Sequence, residues 1–215
     1  MKRRTLDVIA SSGGIVLAGL LLVLGFVLTS NANFGKNYVT TQLSQQNITF
    51  KTAGTLTAEE KKSACLVAYA GQRLTTGKQA ECYANEFIGL HLKSIAGGKT
   101  YAELGTPQSQ LTAKVAQAKK TNDPALADLQ KQLADVTAQR ETVFKGETLR
   151  GLLLTSYGFS EFGVRAEQGA TVAFLAAGLL ALLGIAGFVH ALVTPKTKAF
   201  APPQPAHDAS TLVTA

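Results

Sequence analysis

The run Gly169–Val193 (GATVAFLAAGLLALLGIAGFVHALV) contains no Asp, Glu, Lys or Arg. At about 1.5 Å of rise per residue, a helix of this length crosses the roughly 30 Å hydrocarbon core of a bilayer. A comparable run, Val8–Thr29, lies near the N-terminus. A single N-terminal run can be a discarded export signal, but a second one far along the chain cannot be explained that way. Together they predict a protein held in a membrane by two helices, at residues 8–29 and 168–193.

The placement of charge predicts an orientation. The 215 residues include 21 Lys+Arg against 14 Asp+Glu, a formal net charge of +7. Lys2, Arg3 and Arg4 precede the first run, and Lys196 and Lys198 follow the second. Lys and Arg collect on the cytoplasmic flanks of membrane spans. Residues 1–7 are therefore expected to be a cytoplasmic N-terminus and residues 194–215 a cytoplasmic tail, disordered around Ala201-Pro202-Pro203-Gln204-Pro205. Residues 30–167 then form one extracytoplasmic domain, and the protein belongs to the cell membrane. No basic helix or arginine-rich run occurs, so the positive balance does not point to nucleic acid.

Small residues recur at spacing four in both runs: Ala10, Gly14 and Ala18 in the first, Gly169, Ala173, Ala177 and Ala181 in the second. Such a stripe lets two backbones approach closely in lipid, where apolar burial supplies no drive, and predicts that the spans pack on each other. The alternative is that Gly and Ala are simply frequent in membrane helices. Ser30-Asn31-Ala32 weakly resembles a small-x-small cleavage site, but the apolar run before it exceeds a usual signal core, so an uncleaved anchor is preferred.

The central domain reads as all-α, with no convincing run of alternating strands. Phe34–Gln46 is expected to be a short helix running off the first span, and Asn47–Phe50 to be extended. Thr57-Ala58-Glu59-Glu60 has the form of a capping box opening a helix from Ala58 to Ala70, with Glu59-Glu60-Lys61-Lys62 a solvated helix start. Gly71–Gly77 is the turn into a helix Lys78–Ala96, stopped by Gly97-Gly98. Its buried stripe is Ala84, Phe87, Ile88, His91, Leu92 and Ile95. Thr106-Pro107 opens a third helix with the stripe Leu111, Val115 and Ala118.

Thr121-Asn122-Asp123-Pro124 is a turn and a fresh cap, since proline inside a helix costs roughly 3 kcal/mol. Leu126, Leu129, Leu133, Val136 and Val143 then step by threes and fours, with Arg140 interrupting, as in a coiled-coil or bundle seam. Glu147–Tyr157 is a last helical piece. Tyr157, Phe159 and Phe162 fit the aromatic belt at the outer membrane surface. The fold expected is an antiparallel helical bundle flanked by two transmembrane helices.

Cys65 and Cys82 fall at similar distances before and after the Gly71–Gly77 turn, at one height on the two arms of a helical hairpin. Thiols outside the cytoplasmic membrane oxidise, so a disulfide worth about 3 kcal/mol is expected. Two buried thiols or a redox pair are the alternatives, the latter weakened by the absence of CxxC. His91, His190 and His207 are the only histidines. Glu81, Glu86 and His91 step by five and diverge around their helix, so no metal site is expected, and His91 is read as a hydrogen-bonded core residue. Neither a nucleophile elbow nor a phosphate loop occurs, and no cofactor is expected. Ion transport is disfavoured because the spans have no ionisable group at mid-depth, His190 lying at an edge.

The stretches LTAEEKKSACLVAYAGQRLTTGKQAECYANEFIGLHL (Leu56–Leu92) and FKGETLRGLLLTSYGFS (Phe144–Ser160), with both spans, resemble a family of uncharacterised actinobacterial two-span membrane proteins over about residues 1 to 193. Members often carry a label as an aromatic ring-opening dioxygenase subunit. That chemistry needs a ferrous ion held by histidines and a carboxylate, and the central domain offers His91 alone. The function expected is therefore non-enzymatic: an accessory or assembly subunit of a larger membrane complex, or a homo-oligomer, whose partners are the lipid bilayer and other membrane proteins or itself. The alternative is a ligand-binding sensor domain passing a signal to a membrane partner. An enzyme of unrecognised type comes third.

Overall fold

The computed structural model describes residues 3–195, which are helical apart from turns and one isolated antiparallel bridge, Thr49 with Arg73. Lys2, Lys196, Lys198, His207 and the expected tail beyond residue 195 lie outside the described residues. The α-helices are α1 Arg3–Gln45, α2 Ala64–Ala68, α3 Gly77–Cys82, α4 Gly89–Ala96, α5 Gly105–Thr121 and α6 Leu126–Val193. Short 3-10 turns occupy Ala53–Thr55 and Glu60–Lys62, and a π-helical turn, Tyr83–Ile88, joins α3 to α4. Helices α1 and α6 are long and apolar enough to cross a membrane. At 43 and 68 residues, each far exceeds the roughly 20 that a bilayer core requires.

Several expected breaks are absent. The helix expected at Phe34–Gln46 is the end of α1, and the piece at Glu147–Tyr157 is continuous with both the seam before it and the apolar run after it. The reason is local: no proline lies between Leu126 and Val193, and each glycine there costs only about 1 kcal/mol against alanine. The hairpin at Thr121–Pro124 forms as read. Asn122 closes α5 in the left-handed conformation (φ 50°), and the Asp123 carboxylate accepts the Ala125 N–H at 2.8 Å before α6 begins.

Elsewhere the helix starts move. The helix expected over Ala58–Ala70 is a 3-10 turn followed by α2, because Ser63 turns extended (φ −84°, ψ 111°) and its hydroxyl caps α2 by accepting from Leu66 N–H. Helix α3 starts at Gly77 with a reciprocal box between Thr76 and Gln79. Thr106 is not a cap; α5 begins at Gly105, and the box forms earlier, where Glu103 accepts the Thr100 N–H at 2.7 Å. Pro107 is tolerated because the first-turn N–H groups of a helix have no intrahelical partner. Gly97, at φ 60°, ends α4 as expected.

The chain divides into two compact units. Among the described residues, one takes in 3–30 and 166–195, and the other is Asn31–Arg165. In the first unit α1 and α6 run antiparallel: Asp7 lies by His190, Gly14 by Leu180 and Leu28 by Gly169. Its buried residues are small, with Ser11 and Ala18 on α1 and Ala170, Ala173, Ala177 and Ala191 on α6. Large residues point outward, among them Val16, Leu20, Val23, Leu175, Leu182 and Leu192.

The second unit has a core of Val39 and Leu43 from α1, Val143 and Leu153 from α6, and Phe50, Leu66, Leu74, Ala80, Ala84, Ile88 and Leu92 between them. Leu66 and Leu74, each 1% exposed, contribute about 2 kcal/mol apiece through burial. Residues 48–51 and 71–74 exchange backbone hydrogen bonds, Phe50 N–H to Gln72 O and Leu74 N–H to Ile48 O, both 2.9 Å. That clamp sets Phe50 against Tyr69 and Tyr83.

Candidate functional site

Cys65 on α2 and Cys82 at the end of α3 stand within disulfide-bonding distance, with Cα atoms 6.0 Å apart. Their cross-link ties the short 3-10 and α2 segment to the start of the π turn. Beside it lies the most heavily buried charge among the described residues. Glu60, 2% exposed, receives Lys51 Nζ on both carboxylate oxygens at 2.8 and 3.1 Å and the Thr57 N–H at 2.7 Å. Burial pushes the Glu60 carboxyl up, but the hydrogen bonds from Lys51 and Thr57 outweigh it and hold the group below the usual carboxylate range. With its lone pairs so engaged, Glu60 acts as an ionic pin and not as a poised base. The expectation of a solvated Glu59–Lys62 run is thus corrected at Glu60, whose partner Lys51 lies outside the local pattern.

His91 is corrected too. It is not a core residue: its side chain is 46% exposed. Its Nδ1 lies 2.7 Å from Phe87 O, a carbonyl that can only accept, so Nδ1 carries the proton and Nε2 is left 3.8 Å from Glu60 Oε1. Ile95 is likewise exposed, which leaves Ala84, Ile88 and Leu92 as the buried part of the expected stripe. The π turn sets Tyr83 and Phe87 side by side at 4.6 Å between ring centroids, and Lys51 Nζ stands 5.3 Å above Phe87. Burial pushes the Tyr83 hydroxyl up. Among the described residues, no three His, Cys, Asp or Glu side chains gather as a metal-holding group.

A second ionic hub joins α3 to α6. Lys78 donates to the Tyr157 hydroxyl at 3.1 Å, lies 3.3 Å from Glu161 and 3.5 Å from Glu81, and sits 4.6 Å over the Tyr157 ring. Tyr157 first, then Glu161 and Glu81, hold the Lys78 ammonium above its ordinary range against the opposing effect of burial. Tyr157 is thereby committed to Lys78, while Phe159 and Phe162 are 51% and 75% exposed.

The expected packing stripes are only partly brought together. Ala18, Ala173 and Ala177 are buried, Gly14, Gly169 and Ala181 are half-buried, and Ala10 is exposed. The residue that packs in place of Ala10 is Ser11, in a row with Ala18 and Gly25 at spacing seven. Its counterpart on α6 runs Ala170, Ala173, Ala177, Gly184 and Ala191. Threes and fours keep a seam facing its partner along a left-handed helix pair, whereas a strict spacing of four drifts off it. In the bundle seam Val143 is buried and Leu126, Leu129, Leu133 and Val136 are half-buried. Arg140, which interrupts them, donates to Gln108 Oε1 at 2.6 Å and stacks 4.0 Å from the Tyr101 ring, fastening α6 to α5.

Several clefts open on the second unit, and two of them bear on function. One, about 290 Å³, is apolar and lies between the end of α1 and α6, lined by Tyr38, Val39, Leu43, Leu149, Leu153 and Phe159 among others. The other, about 450 Å³, is polar and includes Lys93, Lys99, Glu86, Glu147 and Arg150. No protein-family model, curated protein or solved structure matches the chain.

Proposed function

We propose that this protein is a two-span membrane protein of an actinobacterial cell envelope, with both termini cytoplasmic and residues 30–167 presented outside as a helical bundle. In this reading it is non-enzymatic and serves as an accessory or assembly subunit of a larger membrane complex, or as a homo-oligomer. The observation that carries it is the inverted distribution of bulk in the first unit, where Ala, Gly and Ser fill the helix contact and Leu, Val and Phe face away. In water that arrangement would expose a large apolar surface; in lipid it costs nothing and gives close backbone packing. Exposed Phe34, Phe159 and Phe162 suit the interfacial belt.

Gentle extraction from native membranes, mild crosslinking and mass spectrometry test the reading. A partner or a second copy is expected to co-purify, and deleting the Leu126–Val143 seam is expected to abolish it. A lone monomer from wild-type membranes would overturn the assembly role. The polar cleft of about 450 Å³ favours a second reading, a sensor domain for a small polar ligand. A ligand co-purifying in that cleft, and released by Arg150→Ala, would favour the sensor over the subunit.

A further inference from the structure

The polar cleft of about 450 Å³ takes cations from three separate segments: Lys93 on α4, Lys99 in the turn after it and Arg150 on α6. We propose that this cleft binds a small oxyanion, a carboxylate or a phosphate, held by Arg150, Lys93 and Lys99. The inference rests on the second reading above, the sensor domain, and gives that cleft its ligand class.

The chain brings these groups together for local reasons. Leu92, the neighbour of Lys93, is buried against Gly146 of α6, where its side chain occupies the space of the missing Cβ. Close approach of α4 to α6 at that glycine sets Lys93 and Arg150 on one opening. Gly97 and Gly98, at φ 60° and 81°, turn the chain after α4, and Lys99 joins the same walls. Arg150 is held on two sides: Nη1 donates to the Glu147 carboxylate at 3.3 and 3.4 Å, and Nη2 donates to Asn85 Oδ1 at 3.1 Å.

A donor left over points to the ligand. Arg150 Nε is buried and has no acceptor among the described residues. Buried polar groups in folded proteins are nearly always paired, and an orphan marks the place of a missing water or ion. A guanidinium presents its Nε–H and one Nη2–H side by side, a spacing that matches two oxygens of a carboxylate or phosphate. Asn85, an exposed side chain, offers that edge a single oxygen. An oxyanion taking its place satisfies both protons.

Charge selects the same class. Glu147 is engaged by Arg150, and Glu103, the carboxylate that Lys99 acts on, accepts the Thr100 N–H and hydroxyl at 2.7 and 2.9 Å. Of the cleft's own charges, that leaves Glu86 alone against Lys93 and Lys99. Lys93 joins no ion pair or side-chain hydrogen bond among the described residues. A cationic ligand would meet two ammonium groups and a guanidinium that already has its carboxylate, whereas an oxyanion meets donors only.

Lysine acetylation tests this on the full chain in detergent, with a limiting acetyl ester and peptide mass spectrometry to read each lysine at constant ionic strength. The probes are succinate, inorganic phosphate, choline and glucose. Succinate or phosphate is expected to slow Lys93 and Lys99 roughly tenfold at about ten times the half-protecting concentration. Lys62 and Lys145, exposed and already beside carboxylates, should not change. Arg150→Gln is expected to abolish the protection. Since Arg150 also holds Glu147 and Asn85, Lys99→Gln on an exposed position is the second variant, and it should weaken protection at Lys93. Protection by succinate alone would mark a carboxylate ligand, and by phosphate alone a phosphate. Protection by choline or glucose but by neither anion would overturn the oxyanion and leave the sensor reading standing; no protection by any of the four would overturn both. Equal slowing of every lysine, or protection that survives Arg150→Gln and Lys99→Gln, would also overturn the site.

Discussion

Gly163 on α6 lies against Ala32 on α1 so closely that a Cβ added at position 163 would stand 3.2 Å from the Ala32 carbonyl oxygen. Backbone carbonyl atoms cannot swing aside as a long side chain can. Gly163→Val is therefore expected to force the two helices apart and cost about 1–3 kcal/mol. Gly158→Ala, where a Cβ meets nothing within 4 Å, is the control and should be neutral or slightly stabilising. Thermal unfolding of both variants in detergent checks this; a Gly163→Val protein that melts with the wild type would show that the contact is not tight.

The cysteine pair closes a short loop, at a sequence separation of 17. Cys65→Ser with Cys82→Ser is expected to lower stability by roughly 3 kcal/mol, and a reducing agent to lower the wild-type midpoint by a similar amount. Thiol labelling of unfolded, unreduced protein should be negligible and should rise on reduction. Full labelling without reductant would mean the two thiols are free.

Acid should loosen the second unit through Glu60. Its folded carboxyl lies below its ordinary value near 4.5, so its contribution is present above that value and is lost as pH falls through the lower, folded one. Denaturant midpoints are thus expected to drop on acidification below about pH 4.5, with a shallower drop in Glu60→Gln. Lys51→Met strands the buried carboxylate and is expected to cost about 2 kcal/mol at neutral pH, discounted for the partly exposed lysine. Equal acid sensitivity in wild type and Glu60→Gln would remove Glu60 as the cause.

In the span pair, Ala177 is 1% exposed and Leu182 is 68% exposed. Ala177→Leu is expected to separate the helices, whereas Leu182→Ala should leave them together. Disulfide formation between Gly14→Cys and Leu180→Cys reports the separation directly. Unchanged cross-linking in the Ala177→Leu background would count against this contact.

What the sequence discloses and what it hides follow from the range of the forces. The Asn122–Pro124 turn was legible because a left-handed asparagine, an aspartate cap and a proline all act within a few residues. The apolar runs were legible because missing charge needs no partner to interpret. The π turn at Tyr83–Ile88 was not: its first residue, Tyr83, packs edge-on against Phe50, a contact far off in the chain that no local pattern announces. Glu60 was legible in part: its reciprocal box with Thr57 forms as read, but its burial and its partner Lys51 come from outside its own turn. Ala10 was read into the stripe and Ser11 was not, because the first span offers small residues at spacings of four and of seven alike, and only the facing helix selects between them.

The Phe174 ring fills the gap left by Gly25, where an added Cβ would fall 2.6 Å from its Cε1, and it meets Phe26 edge-on at 5.3 Å. The pair behaves as a pawl in a notch. Sliding either rod by one position would drive the ring into a bulkier neighbour, so a single tooth fixes the alignment that all the methyl-sized contacts along the rods then inherit.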